Sequence, residues 1–288
     1  MPLPLKHLAI LAFTILSVSA QEIRISASDL LDDFIREPLN AYAADNDVSF
    51  TIDGIGSIPA IDRLRANEID MAIIAVPDGN PMPDEDIATF PFAYDVAIIA
   101  VNAGNPISEI TVSRLGGIFG ENEELSYNTW GELGLSGGGS RSIKALAGQS
   151  SDSISLELFR HSVLQGGAMK SQVAMVKDDE IEGLMAGDPA SIAILAGLPK
   201  SNRIKPLMIA ESPDSPAFGP SEDNVHYGDY PIRLAFYIAY QKSNDANMKS
   251  IMRVLYSDEM ANSLRENNFF ALPDTIRRKL VIDLDLEN

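Results

Sequence analysis

Serines at strand-to-helix turns are the residues of this chain best placed to hold a ligand. The stretch Asp53–Pro77 reads DGIGSIPAIDRLRANEIDMAIIAVP, and its parts come in the order of a ligand-cradling half-site. A strand from Val48 to Asp53 runs into Gly54-Ile55-Gly56-Ser57, after which Ile58, Ile61 and Leu64 recur at helical spacing. Ser57 is expected to cap that helix, whose first N–H groups would face a polar or anionic guest. A second strand, Asp70 to Val76, follows, giving a βαβ unit whose crevice lies at the carboxyl ends of its strands. An ordinary βα turn has the same appearance. Pro59 also breaks the dinucleotide pattern Gly-x-Gly-x-x-Gly, so no nucleotide cofactor is read here.

The same design recurs twice. The short strand Glu22 to Ala27 ends at Ser28 and Asp29, either of which can cap a helix lined by Leu30, Leu31, Phe34, Leu39 and Tyr42. A strand from Ile143 to Ala147 is followed by Gln149 and then Ser151, Ser153 and Ser155, before a helix lined by Leu156, Phe159, Val163 and Leu164. Chemistry of other kinds finds few residues. There is no cysteine, which excludes disulfides, thiolate metal sites and a cysteine nucleophile. Beyond the leader the histidines are His161 and His226, far apart in sequence, and acid pairs such as Asp32-Asp33 diverge on a helix surface. The reading is therefore of a protein that is not an enzyme and has neither a metal nor a cofactor.

The elements that position these turns alternate strand and helix through a chain of 288 residues, long enough for two cores. Lys6 and His7 precede an apolar run from Leu8 to Val18, and Val18-Ser19-Ala20 precedes a cut ahead of Gln21, so residues 1–20 read as a secretory signal peptide. That predicts a periplasmic or secreted protein. Removing the leader takes away Lys6 and no acid, leaving 21 Lys+Arg against 41 Asp+Glu, a formal charge of −20. A surface so acidic repels nucleic acid and anionic membranes. Val96 to Val101 reads as one buried strand, and Asn102-Ala103-Gly104-Asn105-Pro106 as a turn or hinge. The Pro-, Gly- and acid-rich segment Asp214 to Tyr230 reads as the return crossing. The expected domains are residues 21–102 with 230–288, and residues 103–229. Trp130 reads as core, and the tail as helical up to Phe269-Phe270-Ala271-Leu272-Pro273.

Gly54-Ile55-Gly56-Ser57, Asp70, Tyr94-Asp95-Val96-Ala97, Asn102, Ile118-Phe119-Gly120, Trp130, the helix start Ser153–Phe159 and Tyr230-Pro231-Ile232-Arg233 together resemble the phosphate-type solute-binding proteins of ABC transporters. The resemblance spans residues 22–273. It implies an α/β, two-lobe periplasmic-binding-protein-like fold with a ligand cleft between lobes, a monomer that binds a small-molecule ligand, an oxyanion or other polar solute, and an ABC permease as partner. It also places ligand-binding residues at Ser28, Ser57, Gln149, Ser153 and Ser155. Two of the family's charged positions are changed here: its aspartate falls at Ala75 and its arginine at Gln149, while its glycine after the serine falls at Ile154. Glutamine offers neutral amide donors where arginine would pair with phosphate oxygens. These losses imply a ligand other than phosphate, or else a ligand-poor sensing or interaction protein that keeps the two-lobe fold.

Overall fold

The computed structural model describes residues 21–121, 125–134, 140–149 and 154–286; the leader read at residues 1–20 and Ser153 lie outside the described residues. The chain opens with β1 (Gln21–Ala27), α1 (Asp32–Asp45), β2 (Val48–Gly54), α2 (Ser57–Arg65) and β3 (Met71–Val76). β4 (Ile87–Val96), β5 (Ile98–Asn102), β6 (Glu109–Thr111) and α3 (Val112–Phe119) follow. Next come β7 (Lys144–Gln149), α4 (Ser155–Ser162), β8 (Ala174–Lys177), α5 (Asp178–Ala186), β9 (Ser191–Leu195), β10 (Ile204–Pro206) and β11 (Met208–Ala210). The last elements are α6 (Glu222–Tyr227), β12 (Arg233–Gln241), α7 (Asp245–Leu255), α8 (Asp258–Glu266), β13 (Phe270–Ala271) and α9 (Asp274–Leu286).

Two sheets organise two α/β lobes. The first has the order β13-β4-β12-β3-β1-β2 and the second β10-β5-β9-β7-β8. β1 runs parallel to β2 and β3, and β7 parallel to β8 and β9. Each lobe therefore collects the carboxyl ends of its parallel strands at one edge, where βα turns are free to bind. β3, MAIIAV, is buried at nearly every position because helices cover both faces of its sheet. α1 buries Ile35 and Leu39 and starts with Asp32 and Asp33, acids that suit the positive end of a helix. Pro38 lies inside α1 and supplies no N–H to the Phe34 carbonyl one turn back. The Ser263 hydroxyl of α8 donates to that carbonyl at 2.7 Å, which is how the helix tolerates its proline.

The run read as one strand, Val96 to Val101, is divided between the sheets. β4 ends at Val96 beside β12, and β5 begins at Ile98 between β9 and β10. The chain thus passes between lobes at Ala97, five residues before the boundary expected at Asn102. The turn chemistry at Asn102–Pro106 instead joins two elements of the second lobe. Asn102 Nδ2 donates to the Met185 carbonyl at 2.7 Å, its Oδ1 accepts from Gly104 N–H at 2.8 Å, and Asn105 Nδ2 donates to the Pro189 carbonyl. The return also comes earlier than Tyr230, since α6 already packs on β4 and β13 of the first sheet. At the crossing itself, Ala97 N–H donates to the Ile232 carbonyl at 3.1 Å. The fully buried Tyr230 hydroxyl donates to the Ala97 carbonyl at 3.0 Å and accepts from Ile99 N–H at 3.4 Å.

Candidate functional site

In the first lobe the ends of β1, β2 and β3 come together as one polar edge. Ser28 is buried, its N–H donates to the Ile73 carbonyl at 2.8 Å, and its Oγ accepts from Leu30 N–H at 3.4 Å. Neither Ser28 nor Asp29 caps α1 as expected. The Ser28 carbonyl takes the N–H groups of Leu31 and Asp32, so a turn is inserted and the helix starts later, after Leu31. Ser57 is likewise not a cap. Gly56, at φ 82°, holds the N-cap position, a left-handed conformation that favours glycine, and Ser57 is the first helical residue. The Ser57 Oγ instead accepts from Ala75 N–H at 2.8 Å, fastening the start of α2 to the end of β3. Gly54 has a separate reason: a Cβ there would lie 2.6 Å from the Asp32 carboxyl, which leans over it. Ala75, at the end of β3, is thus part of this edge.

In the second lobe Gln149 ends β7 and is exposed, and Ser155 is the buried first residue of α4. α4 has Ile154 at its N-cap, and among the described residues no side chain makes a cap hydrogen bond to it. Gly148 lies under the Asp178 carboxyl at the start of α5. Arg141 and Lys144, the cations nearest in sequence, do not serve this edge. Lys144 opens β7 at its far end and pairs there with Asp188, holding that carboxyl below its ordinary range by hydrogen bonding. Five residues of strand, about 17 Å, separate Lys144 from Gln149.

α4 packs on β4, bringing the second lobe's helix start against the crossing. A cavity of about 390 Å³ lies between the lobes, with Pro77, Asp78 and Arg233 on one wall and Ile154, Leu158 and His161 on the other. Arg233 is held to its wall by Asp78 at 3.1 Å, by the Val225 and His226 carbonyls, and by the Tyr94 ring 5.3 Å away. The Tyr94 hydroxyl bonds His226 Nδ1 at 2.9 Å; burial raises the tyrosine to about 12 and lowers the histidine. Beside this group is Asp95, 3% exposed, whose Oδ1 accepts from Val96 N–H at 2.7 Å while Oδ2 has no hydrogen-bond partner. Burial pushes this carboxyl up to about 6, against the pull of the Val96 and Ile154 backbone N–H groups. The sequence reading passed over Asp95 and Arg233 as site residues. One signal was visible: Asp95 is the single acid in the run Phe90 to Val101. Among the described residues no cluster of three or more His, Asp or Glu is arranged to hold a metal.

The model of the PBP superfamily domain matches residues 17–259. The chain belongs to the PBP superfamily. No curated protein matches it. Among solved structures, this PBP superfamily chain is similar to an ABC-type phosphate transport receptor from Vibrio cholerae, at 19% identity and a TM-score of 0.61, covering 87% of this chain and 100% of that one. A possible phosphate binding protein from Planctomyces limnophilus matches at 15% identity and a TM-score of 0.66, covering 92% and 98% of the two chains. PstS from Borrelia burgdorferi matches at 19% identity and a TM-score of 0.69, covering 88% and 99%. At these identities the likeness is one of fold. It bears out the two-lobe α/β reading.

Proposed function

We propose that this chain is an extracytoplasmic solute-binding protein that captures a small oxyanion or other polar ligand between its lobes, leaves it chemically unchanged, and hands it to an ABC permease. The observation that carries the reading is the first-lobe edge, where the Ser57 hydroxyl accepts from Ala75 N–H, Ser28 N–H donates to the Ile73 carbonyl and Ile55 N–H donates to the Ala27 carbonyl, joining the three turns into one surface. Superfamily membership supports it, as does the placement of α4 beside the lobe crossing. The ligand-binding set is Ser28, Ser57, Gln149, Ser153 and Ser155. Ala75 and Gln149 leave it without the charges that a doubly charged phosphate needs, and Asp32 and Asp178 at the two strand edges add to the repulsion. Leader cleavage after Ala20 would deliver the chain to the periplasm or medium. None of the helices among the described residues is long and apolar enough to cross a membrane.

The test is a thermal melt against a panel of oxyanions, polyols and amino acids, followed by small-angle scattering with any hit. A ligand at about 100 times its dissociation constant adds about 2.7 kcal/mol of stability, so a micromolar site is visible at submillimolar ligand. Stabilisation accompanied by a more compact scattering profile is expected for capture by closure of the lobes. Absence of both across the panel would favour the sensing or interaction reading.

A further inference from the structure

Beside the serine edges the cleft has an apolar cavity that a small inorganic anion leaves unused. Its volume of about 390 Å³ lies within the roughly 300–1,000 Å³ of sites that hold organic ligands. On the first lobe its wall continues the ligand edge. β12 runs antiparallel to β3 with Ala235 opposite Val76, so Arg233 and Leu234 lie just past the end of β3, beside Pro77, which is two residues on from Ala75. The other wall is one face of α4, where Ile154, Leu158 and His161 recur at helical spacing and Ile154 adjoins Ser155 of the ligand set. Pro77, Ile154, Leu158, Pro231 and Leu234 make both walls apolar, and Leu158 and Leu234 are the deepest of them, both buried. A hydrated ion gains nothing from such a surface, whereas an apolar body is drawn to it by the area it removes from water. The charges around the cavity suit the same guest. Among the described residues that line it, Arg233 is the one permanent cation, and its Nε and Nη2 already donate to the two carboxylate oxygens of Asp78 at 3.1 and 3.3 Å. Glu157 brings a second acid, which pairs along the helix with Arg160 at 3.7 Å.

We propose that the cleft takes a small organic acid or amide, whose compact polar head, carrying at most one negative charge, meets the serine edges while its apolar body fills the cavity between Leu234 and the Ile154–Leu158 face of α4. The inference rests on the solute-binding reading and narrows its ligand class from any polar solute to an organic one.

Two straight-chain series test it: acetate, butyrate and hexanoate, and the matching amides acetamide, butyramide and hexanamide. The head is constant within a series and only the body grows. Dissociation constants are measured by NMR titration at neutral pH and matched ionic strength, for the natural chain and for Ile154→Asn. Burial of one methylene raises affinity about fourfold, so in at least one series the natural chain should gain about that factor for each methylene added. Ile154→Asn makes the wall polar at a helix N-cap position that asparagine suits, and the gain per methylene is expected to fall to about twofold or less. A second measurement needs no variant: the methyl signals of Leu158 and Leu234 should move with the six-carbon ligands and not with the two-carbon ones. No rise with chain length, a rise that Ile154→Asn leaves intact, or unmoved Leu158 and Leu234 signals overturns the cavity as a subsite and leaves the solute-binding reading standing. Binding of no member of either series, where an inorganic oxyanion or a polyol does bind, overturns the organic class alone. Binding of neither kind of solute overturns the inference together with the solute-binding reading.

Discussion

Replacing Asp95 by asparagine should stabilise the protein at neutral pH and do nothing for it in acid. The carboxyl has an ordinary value of 3.8 and is pushed up to about 6 by burial in the folded chain. Between those values the folded state holds a proton that the unfolded state has released. The associated stability is therefore full below pH 3.8 and is lost as the pH rises through about 6. At about 1.4 kcal/mol per pH unit the gap amounts to roughly 3 kcal/mol at neutral pH. Asparagine copies the shape of the protonated acid and can still accept from Val96 N–H through its oxygen. The expected gain over the natural chain at a pH of about 7.5 is then about 1–3 kcal/mol, shrinking towards zero by about pH 4. Urea unfolding followed by the fluorescence of Trp130, the single tryptophan and a buried one, measures this directly. A variant less stable than the natural chain at neutral pH, or a gap that is the same at both pH values, would refute the account of Asp95 as a desolvated carboxylate.

Other outcomes follow from the same geometry. Ala75→Asp with Gln149→Arg should create or strengthen phosphate binding measured by calorimetry, with each single change doing less, because aspartate alone adds repulsion and arginine alone leaves the proton unread; no gain in the double variant would reject the alignment of the site. Tyr230→Phe removes a hydroxyl that bonds both Ala97 and Ile99 at the crossing and should cost about 1–3 kcal/mol in urea unfolding, a cost near zero counting against the crossing as a fixed element. Gly54→Ala drives a methyl into the Asp32 carboxyl and should destabilise by about 1–3 kcal/mol, with Asp32→Ala in the same chain recovering most of it. Mass spectrometry of protein from the periplasm or medium should give Gln21 as the first residue; an intact Met1 in a membrane pellet would reject the leader reading.

Local pattern determined much of this molecule. Strand-to-helix turns at Ser28, Gly54–Ser57 and Gln149 were legible because glycine, hydroxyls and apolar periodicity are local signals. Trp130 was legible as core, and it is buried with Nε1 donating to the Ala190 carbonyl. The run through Val96 was legible as buried strand and illegible as two strands. Both sheets bury it fully, so nothing in its hydrophobicity marks the point where it leaves one for the other. Which oxygen Ser57 shows to which N–H was decided by β3 arriving beside α2, a contact between residues eighteen apart. α9 went unread beyond Pro273, and only tertiary structure explains it. Its Arg277 is buried against the Tyr256 carbonyl and Asp258, so the helix is held by partners elsewhere in the chain. Asp95 shows the division most sharply. Its identity as a lone acid among apolar residues is written in the sequence, while its desolvation and its place against the start of α4 exist only once the two lobes are packed at the crossing.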